Sequence, residues 1–369
     1  MKYLRYMLVF LPLAVLAEFV LHNELLIFLF SCLALIPLAG YLGEATEELA
    51  IHTGPRIGGL LNATLGNAAE LIITIVALQR GEYELVKASI TGSIFGNLLL
   101  ILGASLLVGG LKNGVQHFDR SNAGVSATLM LLAVIGLLIP TMFELFKEIQ
   151  VGKIDLFNTE VVDPSLNNLS LWVAGILMIM YILSLIFSFS TPERGVGQPV
   201  GGDDHNVESE QHTAKWSVPV AVGVLAASTL CIVFLSEFLV GAVGAVTTSL
   251  GLSTLFIGII VIPLVGNVAE HIVGVQVAYK NKMDLSLAIS LGSSTQVALF
   301  VAPLLVFISA LFFARELTLF FTLFEVIALG AAVLAASFVA QDGESNWLEG
   351  ALLLAIYAIF ALGFFFLRV

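Results

Sequence analysis

The pentapeptide G-N-A-A-E at residues 66–70 returns as G-N-V-A-E at residues 266–270, and this repeated stretch decides how the chain folds. A second pair, Gly92-Ser93 and Gly292-Ser293, recurs at the same offset of 200 residues, so both copies keep one separation of 26 residues. One short repeat in an apolar chain can arise by chance. Two motifs at one offset, with no gap between them, instead indicate a duplication, and we predict two structurally related halves.

The sequence around both motifs is apolar enough to lie in a lipid bilayer. Of 369 residues, 59% are hydrophobic and 11% are charged, against about 25% charged in an average soluble domain. Apolar runs near 20 residues recur along the chain, and each can cross the hydrocarbon core only as a helix. We predict an all-α polytopic membrane protein of about eleven transmembrane helices, at 4–21, 24–51, 57–79, 84–110, 122–145, 168–190, 218–250, 254–279, 285–312, 316–340 and 347–368.

A polar segment at residues 191–216 divides these spans into two groups. Its glycines, prolines and acids, with almost no large apolar residues, are typical of a linker. We predict an N-terminal transmembrane helix outside the repeat (1–23), a first five-helix repeat (24–190), an acidic cytoplasmic linker (191–216) and a second five-helix repeat (217–369). Because five is odd, the second copy enters the membrane upside down, which is the inverted-repeat plan of many secondary transporters.

Basic residues predict the orientation of the chain. The start, with Lys2 and Arg5, resembles a signal peptide, but ten further spans follow, so we expect a retained first helix. With the N-terminus inside, nine lysines and arginines fall on the cytoplasmic side and six on the other, which favours a cytoplasmic N-terminus and linker. The formal net charge of −12 argues against a nucleic-acid partner, since such a partner needs a basic face.

Two glutamates fall where a charged side chain is costly. Glu70 lies near the centre of the third predicted helix and Glu270 near the centre of the eighth. An ionised group at that depth costs several kcal/mol, so such residues are rare and mark ion or substrate pathways. Because both occupy equivalent positions of a repeat, we predict a functional role for the pair rather than a buried hydrogen-bonded pair.

Other oxygen-bearing side chains surround the glutamates on the predicted helices. Asn67 and Asn267 precede them by three residues, on the same helix face. Ser93 and Asn97 share a face of the fourth helix, and the second copy carries Ser293 and Gln296. The repeat is imperfect here, because Asn97 aligns with Val297. The alternatives are small-residue packing with an interhelical hydrogen bond for the asparagines, and bonds back to their own helix for the serines.

The predicted ligands are all oxygen donors. Hard cations, calcium above all, take six to eight such oxygens, whereas softer metals favour imidazole or thiolate. We therefore predict a cation site formed by Glu70, Glu270, Asn67, Asn267, Ser93, Asn97, Ser293 and Gln296. His271 follows Glu270 but points about 100° away around the helix, so a hydrogen-bonded packing role is preferred for it and its function stays open.

Further acids carry weaker predictions. Glu44, Glu47, Glu48 and His52 form either an entry vestibule or a solvated helix end, and the second is preferred. Glu237 and Glu325 lie deeper and have no repeat partner, so they are candidates to line a cavity. The linker acids Asp203, Asp204, Glu208 and Glu210 are interpreted as solvated, with regulatory cation sensing as the alternative. Cys32 and Cys231 lie inside apolar runs, which predicts neither a disulfide framework nor a cysteine metal site.

The motifs together resemble those of the calcium/proton exchangers, a family of cation/proton antiporters within the calcium/cation antiporter superfamily. The resemblance rests on G-N-A-A-E at 66–70, G-S-I-F-G-N at 92–97, G-N-V-A-E-H at 266–271, G-S-S-T-Q at 292–296 and E-A-T-E-E-L-A-I-H-T-G at 44–54. It covers nearly the whole chain, including the acidic linker between two halves. Sodium/calcium exchangers usually carry Pro-Glu or Pro-Asp in these motifs, whereas Ala69-Glu70 and Ala269-Glu270 favour proton coupling.

The resemblance implies that Glu70 and Glu270 bind cation and protons, with Asn97 and Gln296 beside them. It also implies a compact microbial form in the cell membrane, or in the vacuolar membrane of a eukaryote. Calcium and protons are then the expected substrates, and no cofactor is expected. The chain is expected to lie in the lipid bilayer, and its homo-oligomerisation is left open. Chemistry supports the same coupling, because a carboxylate in a low-dielectric site binds either a proton or part of a cation and seldom neither.

Three other readings stay open from sequence. A sodium- or potassium-coupled calcium exchanger needs monovalent-ion sites, and Val297 removes one oxygen ligand. A passive cation channel is disfavoured by an inverted repeat with two central acids. An intramembrane enzyme is disfavoured because the chain has no H-E-x-x-H motif and no phosphate-binding loop, and because each aspartate falls in or near a predicted loop, at 119, 155, 163, 203, 204, 284 and 342. Preference among divalent cations and proton stoichiometry are not encoded in these motifs.

Overall fold

The computed structural model describes residues 4–151, 163–190 and 214–367. Most of the predicted linker, residues 191–213, therefore lies outside the described residues, together with the acids at 203, 204, 208 and 210. The positions of Asp155 and of the two chain ends lie outside them as well.

The described chain is almost entirely helical, and its helices are numbered in chain order. Helix α1 covers 4–21 and passes through a 3₁₀ segment, an α-helical segment and a π segment. The others are α2 (Glu24–Leu65), α3 (Ala68–Gln79), α4 (Tyr83–Asn113), α5 (Arg120–Val151), α6 (Pro164–Ser190), α7 (Val218–Leu250), α8 (Thr254–Gly266), α9 (Val268–Tyr279), α10 (Met283–Phe312), α11 (Leu323–Ala340) and α12 (Trp347–Phe366). Strands β1 (Gln116–His117) and β2 (Glu344–Ser345) form a two-residue antiparallel ladder. The predicted all-α membrane fold is confirmed.

Each of the eleven predicted spans contains helix in the structure, but not every span is one continuous helix. Among the described residues, eight helices are long and apolar enough to cross a membrane, and α8 with α9, bent by 62°, makes a ninth. The predicted spans at 4–21 and 57–79 are the exceptions. Helix α1 changes type twice, and the second of these spans consists of the end of α2 followed by the 12-residue α3. Hydropathy counts apolar length and does not detect such backbone breaks.

The backbone departs from regular helix at corresponding places in the two halves. The helical path breaks at Asn67 (φ −99°, ψ 26°) and again at Asn267 (φ −99°, ψ 8°). A π segment interrupts α4 at Gly96–Ile101 and α10 at Val297–Val301. These paired irregularities support the predicted duplication, while the opposite orientation of the two halves stays a prediction.

Helices α4 and α8 meet in backbone contact near the centre of the bundle. A Cβ added at Gly92 of α4 would overlap the backbone of Ile259, and one added at Gly258 of α8 would overlap the side chain of Ala88. Only glycine permits this approach, which is the usual way that membrane helices pack closely. Helix α4 of the first half and helix α8 of the second therefore meet in the interior, whereas large apolar side chains of α6 such as Trp172 face outward.

The segment between α10 and α11 runs through the interior without forming a helix. Residues 317–322 are buried, so their backbone N–H groups need partners that water cannot supply. Side-chain hydroxyls of three helices accept these bonds, from Leu317 to Ser309 (2.8 Å), from Leu319 to Ser170 (3.0 Å) and from Phe321 to Thr141 (3.1 Å). The predicted span at 316–340 is shortened accordingly, and its helix begins at Leu323.

Candidate functional site

Both motif glutamates lie in the first turn of a half-helix rather than in the middle of a continuous one. Glu70 is the third residue of α3 and Glu270 the third residue of α9, each directly after the break at its asparagine. The sequence had placed them near helix centres, because apolar spacing does not predict the break. A helix N-terminus carries unpaired N–H groups and a partial positive charge that favours a carboxylate.

The two carboxylates belong to one site formed between the two halves. The carboxyl end of Glu70 packs against Gly266, where an added Cβ would lie 3.6 Å from Cγ and 3.9 Å from Cδ of Glu70. Glu270 lies within electrostatic range of Glu70 and accepts a hydrogen bond from the Ser293 side chain. Glu70 is only 7% exposed. The tertiary structure therefore brings Glu70, Glu270 and Ser293 together, and their role as cation ligands stays a prediction.

An amide pair links the first half of the site to α10. Asn67 Nδ2 donates a hydrogen bond of 2.6 Å to Oε1 of Gln296. Gly66, directly before the break, lies beside the same oxygen, since an added Cβ would be 3.7 Å from it. Gln296 is the last residue before the π segment of α10. The sequence grouped both amides in one site, but it did not predict their direct bond.

The site contains a concentration of buried polar atoms that lack protein partners. Among the described residues, Oε1 of Glu70, Oε2 of Glu270, Oδ1 of Asn67 and both amide atoms of Asn97 and Asn267 make no hydrogen bond. Buried polar groups are nearly always paired in folded proteins, so these atoms require another partner. Carboxylate and amide oxygens are the ligands that a hard cation takes.

Ser93 and Asn97 are buried on α4, but the described contacts do not join them to a glutamate. Asn97 lies inside the π segment Gly96–Ile101, a kind of irregularity that is frequent at functional sites. Ser93 lies one turn earlier on the same helix and is likewise buried. Both remain candidate ligands, and Asn97 shares with Asn267 a buried amide that is entirely unpaired among the described residues.

His271 and the acids outside the motifs occupy more specific positions than predicted. The Nε2 atom of His271 has no partner among the described residues, so the preferred hydrogen-bonded role is not supported at that atom. Glu48 is buried and accepts hydrogen bonds from the backbone N–H groups of Lys215 (2.8 Å) and Trp216 (3.0 Å). His52 contacts the Trp216 carbonyl at 2.7 Å. For Glu48 the solvated-end interpretation is wrong, because its buried carboxylate holds the residues that precede α7, whereas His52 is exposed and agrees with that interpretation.

Two predicted cavity-lining acids prove to be structural. Glu237 forms a salt bridge of 2.7 Å with Arg80 at a partly exposed position. Glu325 caps α11, accepting from the Thr322 N–H (2.9 Å) and from the Thr91 hydroxyl (3.0 Å). The hydropathy pattern does not predict either partner, because Arg80 and Thr91 are distant in sequence from Glu237 and Glu325. Cys32 and Cys231 are both free thiols, in agreement with the prediction that they form no disulfide.

The predicted ligands of the motif site are mostly neutral oxygen donors. Across residues 4–151, 163–190 and 214–367, no group of three or more histidines, cysteines, aspartates and glutamates could hold a metal ion. The motif site offers two carboxylates supplemented by amides and hydroxyls. Such a set binds a hard cation while leaving it able to dissociate.

A helical membrane bundle that places one buried carboxylate at each of two helix breaks has the architecture of a secondary transporter. Within that class, the chain belongs to the sodium/calcium exchanger protein family, whose family model matches residues 23–190 and 220–366.

Two known relatives and one solved structure match nearly the full length of the chain. The chain is 42% identical to a Ca(2+)/H(+) antiporter of Aphanothece halophytica, with 98% of this chain and 95% of the relative covered. It is 36% identical to a vacuolar calcium ion transporter of Schizosaccharomyces pombe, covering 99% of this chain and 85% of the relative. The crystal structure of the Ca2+/H+ antiporter YfkE superposes with a TM-score of 0.82 at 38% identity and covers all of both chains.

Proposed function

We propose that this chain is a secondary active antiporter that exchanges calcium for protons across a membrane by alternating access. The observation that carries the proposal is the shared site of Glu70 and Glu270, each with a buried carboxylate oxygen that has no protein partner. An oxygen of this kind is satisfied either by a proton or by a cation, so the two substrates compete for it.

The relatives support this choice of substrates. The relative that is 42% identical is named a Ca(2+)/H(+) antiporter, and the one that is 36% identical is named a vacuolar calcium ion transporter. Coupling to sodium or potassium is not favoured, and neither is a passive channel. The motif residues Ala69 and Ala269 agree with proton coupling, as the sequence predicted.

The cation ligands are proposed residue by residue. Glu70 and Glu270 supply the charge that balances a divalent cation. Around them, the amides and hydroxyls of Asn67, Asn267, Asn97, Gln296, Ser93 and Ser293 are proposed to complete the oxygen set. Asn67 and Gln296 bond to each other, which orients the Asn67 amide and leaves its Oδ1 atom without a hydrogen-bond partner among the described residues.

Exchange follows if only the loaded site changes access. Two ionised carboxylates close together in a poorly solvated place repel each other, and either protons or a divalent cation removes that repulsion. The empty, doubly charged site is the costly state, so it does not cross between the two access states. Each passage of calcium in one direction is then matched by protons in the other.

The membrane arrangement is also proposed from the sequence. The four predicted regions, with bounds at 1–23, 24–190, 191–216 and 217–369, form two inverted halves with a cytoplasmic N-terminus and linker. The chain is a multi-pass membrane protein, and the outward apolar side chains of α6, among them Trp172 and Ile176, suit lipid or a second copy of the chain.

The proposed function is tested with purified protein in sealed vesicles. A pH gradient is imposed and calcium uptake is followed, with sodium and potassium varied separately. We expect uptake that requires the pH gradient and does not respond to either monovalent cation. Uptake that follows a sodium or potassium gradient without a pH gradient would assign the chain to the rival class of exchanger.

A further inference from the structure

A second group of buried polar atoms lies between Glu270 and the membrane face that carries Asp284. Three elements pack together there, namely the second half of α4, helix α9 and the first half of α10. Helices α9 and α10 are joined by a tight turn at 280–282, so they run antiparallel from Glu270 to that face and back. The inference below rests on the proposed function, because it concerns how a proton reaches Glu270.

Helix α10 presents serines in succession along this path. Ser293 bonds to Glu270, while Ser290 and Ser286 follow toward the start of the helix. Positions seven apart share a helix face, and positions three apart are neighbours, so the three hydroxyls lie along one side of α10. Ser286 and Ser290 are 0% exposed, and neither hydroxyl has a hydrogen-bond partner among the described residues.

Helix α4 lines the path from the opposite side. Ser105 is completely buried and its hydroxyl is unpaired within the described residues. It faces Gly274 of α9, where an added Cβ would lie 3.6 Å from Oγ of Ser105. One turn further along α4, the unpaired Oε1 of Gln116 packs directly against Gly109. Ser105, Gln116, Ser286 and Ser290 are called the polar column.

The column has no equivalent beside Glu70. At the offset of 200 residues, Val86 and Ile90 correspond to Ser286 and Ser290, and Leu305 corresponds to Ser105. The nearby Ser89 donates to the carbonyl of Leu85 at 2.8 Å, so its hydroxyl is already paired within its own helix. The duplication therefore does not account for the column, which belongs to Glu270 alone.

The far end of the column meets acids at the surface of the bundle. Asp284, two residues before Ser286, is half-buried and accepts a hydrogen bond of 2.7 Å from the backbone N–H of Asp119. Titratable groups on the surrounding elements include Glu270, His271 and Tyr279 on α9, Lys280 and Lys282 in the turn that follows it, Asp284 on α10, Lys112 on α4, and His117 and Asp119 in the loop that follows α4.

We propose that the polar column conducts protons between Glu270 and the membrane face at Asp284. A hydroxyl can accept one proton on oxygen as it releases its own to the next acceptor, and rotation about its C–O bond then restores the initial orientation. Ordered water bridges buried polar groups that are spaced one helical turn apart. The column has no carboxylate along its length and is fully buried, so it suits a proton and does not suit a hydrated divalent cation.

The test compares proton-driven exchange with calcium binding in the same variants. Ser286→Ala with Ser290→Ala removes two hydroxyls and adds no volume, and Ser105→Ala removes the one on α4. We expect calcium uptake driven by a pH gradient to slow about tenfold, the rate equivalent of one lost hydrogen bond in the transfer step. Equilibrium calcium affinity should remain that of the wild type. The matched control is Ser89→Ala, which should transport at the wild-type rate.

Three results would overturn the inference. The first is a wild-type uptake rate in both column variants. The second is a loss of calcium affinity as large as the loss of rate, which assigns the serines to packing. The third is a wild type without any uptake driven by a pH gradient, which refutes the proposed function and this inference with it. An exchange rate that slows in D₂O for the wild type and slows further in the variants supports proton conduction.

Discussion

Asn67 Nδ2 lies 2.6 Å from Oε1 of Gln296, and this bond joins the helix break of the first half to α10 of the second. The two residues are far apart in the chain and differ in type, so no repeat relates them. Their contact therefore links a predicted ligand of the first half to a predicted ligand of the second.

The first prediction concerns the carboxylates themselves. Glu70→Gln and Glu270→Gln should each abolish calcium/proton exchange while the protein remains folded in the membrane, because glutamine keeps the shape but loses the charge and the exchangeable proton. Vesicle uptake measures this effect. The matched control is Glu47→Gln, an exposed acid on α2, and Glu208→Gln with Glu210→Gln in the linker should also leave the maximum rate intact. Substantial proton-driven uptake by either motif variant would mean that other residues carry the ions.

The hydrogen bond between the side-chain amides of Asn67 and Gln296 should contribute to calcium affinity. Removing either partner leaves a buried polar group unpaired, at a cost of about 1–3 kcal/mol, so Asn67→Ala and Gln296→Ala should each weaken equilibrium calcium binding by roughly that amount. In a double-mutant cycle the two effects should not add, because the residues contact each other. Gln276→Ala, at an exposed position of α9, is the control. Simple additivity would show that the bond is absent in the calcium-bound state.

Calcium affinity should depend on pH through competition. Protons and calcium occupy the same carboxylate oxygens, so apparent calcium affinity should fall as the pH falls, by about tenfold per pH unit for each proton displaced. The number of binding sites should not change, and Glu70→Gln should lose much of the dependence. Equilibrium calcium binding to detergent-purified protein across a pH series measures it. If calcium affinity did not change with pH while proton-coupled transport persisted, the protons would bind at another site.

The packing of α4 against α8 should depend on Gly92. A methyl group there overlaps the backbone of Ile259, so Gly92→Ala should lower stability by about 1–3 kcal/mol, the usual cost of overpacking a tight core. Gly96→Ala is the control on the same helix, since no atom lies within 4 Å of its added Cβ. Thermal unfolding in detergent compares the two variants. Equal stability of both would show that α4 and α8 separate readily.

Membrane topology forms the last prediction. Eleven crossings place the two chain ends on opposite sides, so the N-terminus and linker should face the cytoplasm and the C-terminus the other side. In a background without Cys32 and Cys231, His205→Cys and Val369→Cys are labelled with an impermeant thiol reagent applied from one side. Only one of the two should react. Equal labelling of both would refute the odd number of crossings.

The sequence by itself determined the membrane class and the helical content, and it grouped Glu70, Glu270, Asn67, Gln296 and Ser293 in one predicted site. Each of these depends on local composition or on a repeat at a constant offset, and such signals survive without coordinates. The same signals explain why the sequence predicted continuous helices where the structure has breaks. Apolar length is unchanged by a break at Asn67 or Asn267, so the glutamates appeared at helix centres rather than at the start of half-helices.

Only the tertiary structure decided which polar groups find partners. The sequence favoured a solvated helix end for Glu48 and a cavity-lining position for Glu237, yet Glu48 holds the backbone before α7 and Glu237 pairs with Arg80. Ser290 and Ser89 are both buried serines of transmembrane helices, but only the Ser89 hydroxyl is paired with its own helix. A hydrogen bond depends on distances of about 3 Å between groups remote in the chain. No periodicity in the sequence encodes those distances, and the packing of the helices sets them.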